Sequence, residues 1–327
     1  MKRKFVTEYA YGFMNSYTYV TPAHQLLGDN KLDSSKEDQL AKCHIYIIAM
    51  RPTPYFDPNS LRCENNLLSG TLCHKVNGEE IRTEFTNYLW KIEDNAILEC
   101  PYPHREAICR LPDGSEGEYY IPASLLASEY RSPEYVLNDY EVLYVGQAIG
   151  NKAKRSATER LKSHSTLQKI LASTSQELPD NEIMIFMYEF ENDQLFSSTD
   201  GLAKDANNTS ENEKRLMNAI RNPPNKKQKI GLIEAGLIRY FSPKYNKIYK
   251  IKFPSTKHKI LQSCKTLDAT GLAVELDSSD LGCRLFSPTV AASDHHTAHF
   301  DLVSQEERMS FFNMTRFGRL PNVITES

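Results

Sequence analysis

Apolar positions along the first third of the chain fall into short runs rather than long stripes. Up to about residue 125, tyrosines and β-branched residues recur in runs broken by Pro, Asn and Gly, which predicts strands. The longest apolar run, Ile45-Tyr46-Ile47-Ile48-Ala49-Met50, has the length of a core strand and falls well short of the ~18 apolar residues of a membrane span. Leu111-Pro112-Asp113-Gly114 is a turn signal between residues 107–110 and 118–121 and predicts a hairpin. Residues 132–146, SPEYVLNDYEVLYVG, predict a second hairpin. It turns at Asn138-Asp139, where two Asx residues tolerate the positive φ of a tight turn.

The period then lengthens. Ser156 and Glu159 have the spacing of a capping box, and Leu161, Leu167, Ile170 and Leu171 follow at roughly helical spacing on one helix. Residues 181–190, NEIMIFMYEF, predict a buried strand, and the polar stretch 193–212 a surface loop. A helix over 211–221 ends before Pro223-Pro224, and another over 229–241 is stopped by Pro243. Beyond 253, the segments GLAVELDSS, GCRLFSPTV and HTAHFDLV predict a small sheet, followed by a short helix near SQEERMSFF. There are no internal repeats.

Composition adds little to this α+β outline: 327 residues, 40% hydrophobic and 25% charged, is an ordinary globular chain with room for two or three domains. The basic start lacks the continuous apolar core of a secretory signal, so a cytoplasmic protein is expected. Seven cysteines without a C-x-x-C pair fit reduced core thiols better than a disulfide framework or a zinc site. The net charge of −3 hides an uneven distribution. Residues 150–170 carry six Lys/Arg against Glu159 alone, and 221–259 carry eleven against Glu234 alone. Between them, 180–213 carry nine acids against Lys204 alone. Two basic blocks are usually solvated faces, but they can also be the footprint of a phosphate-backbone site. The acidic block would cover the basic groove until substrate arrives.

The basic blocks coincide with a set of chemically apt residues. Tyr144-Val145-Gly146-Gln147-Ala148 is followed by Arg160 and His164, then by Glu234 in IEAGLIRYFSP and Asn246 in SPKYN. Read independently, Glu234 shares a helical stripe with Leu237, Ile238 and Phe241, a costly position for a carboxylate unless it is paired or holds a cation. Arg160 and His164 fall one turn apart on a single helical face. A guanidinium can hold two phosphate oxygens, and an imidazole can accept or relay a proton near neutral pH. Asn246 can donate to a phosphate or fix the loop after Pro243.

In this order the residues resemble the core of the GIY-YIG nuclease superfamily, over roughly 130–250. The resemblance implies a small three-stranded antiparallel sheet flanked by helices over 129–253. It leaves a β-rich N-terminal domain at 1–128, for target recognition, and a small β-rich extension at 254–327. It implies that Glu234 binds Mg²⁺ or Mn²⁺, that Arg160 neutralises the phosphate, and that Tyr144 fills the tyrosine of the second half-motif. The chain has no literal G-I-Y. Tyr135 in PEYVL and Tyr119 in Gly117-Glu118-Tyr119-Tyr120-Ile121 are the alternatives for the first-motif tyrosine, and Arg155 is an alternative to Arg160. His295, His296 and His299 with Asp294 and Asp301 are read as ordinary loop and strand residues.

The expectation is therefore a metal-dependent endonuclease of double-stranded DNA, in restriction or anti-phage defence. A two-strand cut would need a homodimer or two sequential nicks. The alternatives are a catalytically inactive nucleic-acid-binding module on the same fold, or a homing-type endonuclease.

Overall fold

The computed structural model describes residues 3–28, 34–91, 96–111, 119–129, 136–148, 157–191, 193–250, 253, 265–304 and 308–315. Its spine is a six-stranded sheet, in the order Val290–Ser293, Arg284–Ser287, Asp139–Gln147, Ile45–Pro52, Asn181–Glu189, Tyr17–Pro22. Neighbours are antiparallel except Asp139–Gln147 with Arg284–Ser287, which run parallel. Side-chain alternation divides the spine into two faces. Ile45, Ile47, Val142, Val145, Phe186 and Tyr188 face one core, against the helix Lys226–Phe241 and a second, four-stranded sheet. Tyr46, Ile48, Leu143, Ile185 and Met187 face the other, with Leu161, Leu167 and Ile170 from the helices Ala157–Lys162 and Ser165–Glu177.

The second sheet has the order Asp193–Thr199, Thr7–Met14, Gly271–Asp277, His295–Asp301. Between Pro52 and Val136 the chain builds a separate unit. It has a core of its own around Phe56, Leu72, Phe85 and Trp90, and two sheets that share no strand with the spine. Arg51 sits at its root, 1% exposed. Its guanidinium donates to Glu182 at 2.7 Å, to the Tyr140 hydroxyl at 2.7 Å and to the carbonyls of Leu137 at 3.0 Å and Ser124 at 3.3 Å. A buried cation is tolerated only with such partners, so Arg51 ties the unit to three neighbouring strands of the spine.

The small three-stranded sheet flanked by helices is overturned: the described residues are β-rich, 42% strand and 28% helix, and form four sheets of three to six strands. The extra spine strands come from far away in sequence. Arg284–Ser287 joins the edge of Asp139–Gln147, with Arg284 donating to Asp139 at 2.5 Å. Tyr17–Pro22 closes the opposite edge. Neither pairing leaves a local periodic trace. The boundaries at 128/129 and 253/254 do not separate sheets, because residues from all three segments share the spine.

Three local expectations also change. Residues 136–138 form a 3₁₀ turn and Asp139 opens a strand paired to Ile45–Pro52, so Asn138-Asp139 is not a hairpin tip. The polar stretch after 193 begins with an edge strand along Thr7–Met14, and Asp193 ion-pairs with Lys229, so it does not lie loose over a groove. The helix expected across 157–171 is two helices. The hairpin of Glu106–Arg110 with Tyr120–Pro122, the core strands at 45 and 181, and the helices Ser210–Arg221 and Lys226–Phe241 are where the pattern put them. Among the described residues no helix is long and apolar enough to cross a membrane. Cys43, Cys63, Cys73 and Cys100 are free thiols.

Candidate active site

Two adjacent spine strands build the centre of the site. Their register slips between Val142 and Tyr144, a β-bulge. The extra residue sends both Leu143 and Tyr144 to the face of the Ala157–Lys162 helix, while Val142 and Val145 stay on the other. Bulges re-aim side chains in this way beside functional sites. Tyr144 then lies over Tyr46 on the neighbouring strand, with ring centroids 6.2 Å apart. Gly146 is directly opposite Tyr46. A Cβ there would stand 2.5 Å from the Tyr46 ring and hydroxyl, so only glycine lets that ring lie down.

Arg160 and His164 reach this pair from different elements. The helix Ala157–Lys162 stops before His164, whose backbone is extended and which caps the next helix. Its Nδ1 accepts from the Leu167 amide at 3.3 Å, so the two residues do not share a helical face. Accepting at Nδ1 leaves the neutral ring with its proton on Nε2, a donor and not a base. Burial and the nearby Arg160 charge both hold the His164 pKa below the usual histidine value. The His164 ring is 5.3 Å from Tyr144 and 5.8 Å from Tyr46.

The Arg160 side chain is exposed but has its guanidinium in hydrogen-bonding reach of the Tyr46 hydroxyl. The Tyr46 and Tyr144 hydroxyls are close enough to influence each other. Arg160, Tyr46 and Tyr144 therefore cluster at the end of the two strands. Burial pushes both phenols up. Glu234 adds to the rise at Tyr144, while Arg160 opposes it at both. Tyr46 is 1% exposed, so Tyr144, half-buried, is the member that meets solvent.

Glu234 stands on the Lys226–Phe241 helix, which is closed at its start by a capping box of Asn225 and Gln228. Its Oε2 accepts from Gln147 Nε2 at 2.8 Å. Burial raises its pKa to about 7, against the pull of Gln147 and Arg160. Arg239, on the same helix, donates instead to the Lys250 carbonyl. No lysine or arginine among the described residues ion-pairs with Glu234. A lone, half-buried carboxylate with one oxygen hydrogen-bonded suits Mg²⁺ or Mn²⁺, which take one or two carboxylates plus waters and phosphate oxygens. It does not suit zinc. No group of three or more His, Cys, Asp or Glu side chains converges among the described residues.

Asn246 does not face this opening. Its Oδ1 accepts from the Val145 amide at 2.9 Å and its Nδ2 donates to the Val145 carbonyl at 2.8 Å. With Tyr245 N bonded to Leu143 O at 3.0 Å, residues 245–246 continue the edge that Arg284–Ser287 begins. Asn246 is therefore a clamp on the Tyr144 strand.

Tyr135 and Arg155 lie outside the described residues. Tyr119 is 45% exposed beside the Glu106–Arg110 strand, in the separate unit, and does not meet Tyr144. The residue that does is Tyr46, which sequence reasoning took only for a core position. Its signal was the pair Ile45-Tyr46 inside the longest apolar run, with His44 where a glycine would complete the half-motif. His295 bonds Glu275 at 2.6 Å and His296 sits in the core, so these histidines belong to strand and core. No family model, curated protein or solved structure matches the chain.

Proposed function

We propose that the chain is a metal-dependent endonuclease that hydrolyses DNA phosphodiesters, of GIY-YIG type by its site residues rather than by the size of its sheet. The observation that carries this reading is the convergence of Glu234, Arg160, Tyr46 and Tyr144 at one end of two paired strands. Phosphodiester hydrolysis needs charge neutralisation on the phosphate, an oriented water and a stabilised leaving oxygen.

In this reading Glu234 holds Mg²⁺ or Mn²⁺, which supplies positive charge to the scissile phosphate and its leaving oxygen. Arg160 offers a permanent, planar pair of donors to the non-bridging oxygens. Tyr144, the half-buried member of the pair, orients the attacking water. Buried phenols hold their protons at neutral pH, so Tyr144 acts as a positioning hydroxyl and not as a standing base. His164, neutral and donating from Nε2, packs the pair in place. Asn246 and Gly146 hold the Tyr144 strand and make room for Tyr46.

The basic residues along 221–259 supply phosphate contacts on flanking DNA. Restriction or anti-phage defence in the cytoplasm is the setting that a self-contained nuclease with a large inserted unit fits best. With one such site among the described residues, a two-strand cut is the work of a dimer or of two nicks.

The test is a supercoiled-plasmid assay in Mg²⁺ or EDTA, wild type beside Glu234→Ala. Metal-dependent nicking or linearisation that vanishes in the variant supports the reading. Salt-sensitive DNA binding without cleavage of modified or unmodified plasmid by either protein would replace it with the binding-module alternative.

A further inference from the structure

Gln147 is the last residue of the Tyr144 strand, and the only side chain that the described residues place in a hydrogen bond on the Glu234 carboxylate. A carboxylate only accepts, so the Gln147 amide must present its NH₂ and not its carbonyl. That fixes the amide and, at 2.8 Å, engages Oε2. Glu234 is thus held by the Gln147 side chain at the end of the Tyr144 strand.

We infer that Gln147 is a positioning residue for Glu234, which holds one carboxylate oxygen and turns the other to the cation, and so favours Mg²⁺ or Mn²⁺ over Ca²⁺. The inference rests on the metal-binding role proposed for Glu234 above. Mg²⁺ demands near-octahedral geometry at short distances and accepts one oxygen per carboxylate. Ca²⁺ takes more oxygens and often takes a carboxylate two at a time. The hydrogen bond takes one of the two lone pairs on Oε2, and a carboxylate held through that oxygen is less free to turn both oxygens onto one cation. Removing the amide frees Oε2 and lets the carboxylate swing, so the site loses grip on the small cation and gains room for the larger one. Partners that orient a metal ligand are typically worth about 10–100-fold in affinity.

The experiment measures binding of Mn²⁺, followed by the loss of its free electron-paramagnetic signal, and its displacement by Mg²⁺ or Ca²⁺. It uses the full chain as wild type, Glu234→Ala, Gln147→Leu and Gln147→Met. The methionine keeps the unbranched length of glutamine, so a folded variant without the donor is available if leucine disturbs the strand. The expected result is Mn²⁺ binding by wild type that Glu234→Ala abolishes. Gln147→Leu or Gln147→Met should weaken Mn²⁺ and Mg²⁺ about tenfold or more while weakening Ca²⁺ less.

Wild-type affinity and an unchanged Mg²⁺-to-Ca²⁺ ratio in both Gln147 variants would overturn the inference and leave the Glu234 role standing. Equal loss for all three cations would also overturn it, since that is the mark of a merely structural residue. Indistinguishable binding by wild type and Glu234→Ala would remove the metal reading itself, and the inference with it.

Discussion

Tyr46 lies beside Tyr144 on the neighbouring strand, their rings 6.2 Å apart, although a whole folded unit separates them in sequence. The Arg160 guanidinium is within reach of the Tyr46 hydroxyl, so the three polar ends form one cluster. Tyr144→Phe should cut the cleavage rate by about 10²-fold or more, through loss of the hydroxyl that positions the water. Tyr46→Phe should fall in the same direction, by removing the hydroxyl between Arg160 and Tyr144. Tyr119→Phe, in the separate unit, should cleave like wild type. Single-turnover cleavage of labelled duplex ranks the three. A Tyr119 variant as damaged as the other two would break the assignment.

The space over Gly146 is as specific as the tyrosine pair it serves. Its added Cβ would stand 2.5 Å from Tyr46 and 2.7 Å from Tyr144. Gly146→Ala must therefore move one ring or the strand, at roughly 1–3 kcal/mol as for other overpacked sites. Denaturant unfolding should show that loss, and cleavage well below the melting temperature should fall further than the unfolded fraction accounts for. An alanine variant with full activity would mean that the ring stacking is dispensable.

Parts of this arrangement are legible in the sequence, and the remainder is hidden for physical reasons. Glu234, Arg160 and Tyr144 could be read because each sits in a short segment whose chemistry is local. Tyr46 could not, because Ile45–Met50 reads as a buried strand and only pairing with a strand far along the chain turns it into a site residue. The six-stranded spine was equally hidden. Its edges are short strands from 17–22 and 284–293, and side-chain period says which way a strand faces, not which strand lies beside it. The split of the 157–177 region turned on His164, whose imidazole caps a helix in place of the usual Ser, Thr, Asp or Asn. Asn246 was read as a phosphate donor or a brace for the loop after Pro243, but its partner is the Val145 backbone, which no spacing rule reveals.

That partner sets a prediction for Asn246. Asn246→Ala leaves the Val145 amide and carbonyl without these partners in a buried strand, and each such group costs about 1–3 kcal/mol when left unmade. Stability should drop clearly. The salt dependence of DNA binding by the folded variant should stay that of wild type, because no phosphate contact is removed. A shallower salt slope with unchanged stability would return Asn246 to the phosphate-binding role.

His296 supplies an acid-side prediction for the fold as a whole. It is 2% exposed, its Nδ1 lies 3.2 Å from the Tyr240 hydroxyl, and burial lowers its pKa to about 4. His295 beside it disfavours the cation further, while Asp294 and the Ser293 and Leu285 backbone partly offset this. The unfolded chain, with an ordinary histidine near ~6.5, therefore binds the proton first as pH falls. The stability present above that value is lost progressively from about 6.5 down through 4. His44, also lowered to about 4 by burial and by Lys226, contributes with the same sign in every variant. His296→Gln removes one titrating group and keeps a hydrogen-bonding side chain for Tyr240. Urea unfolding at pH 7.5 and pH 5 should show wild type losing more stability than the variant between the two conditions. Equal losses would mean that His296 is protonated as easily in the folded core as in the open chain.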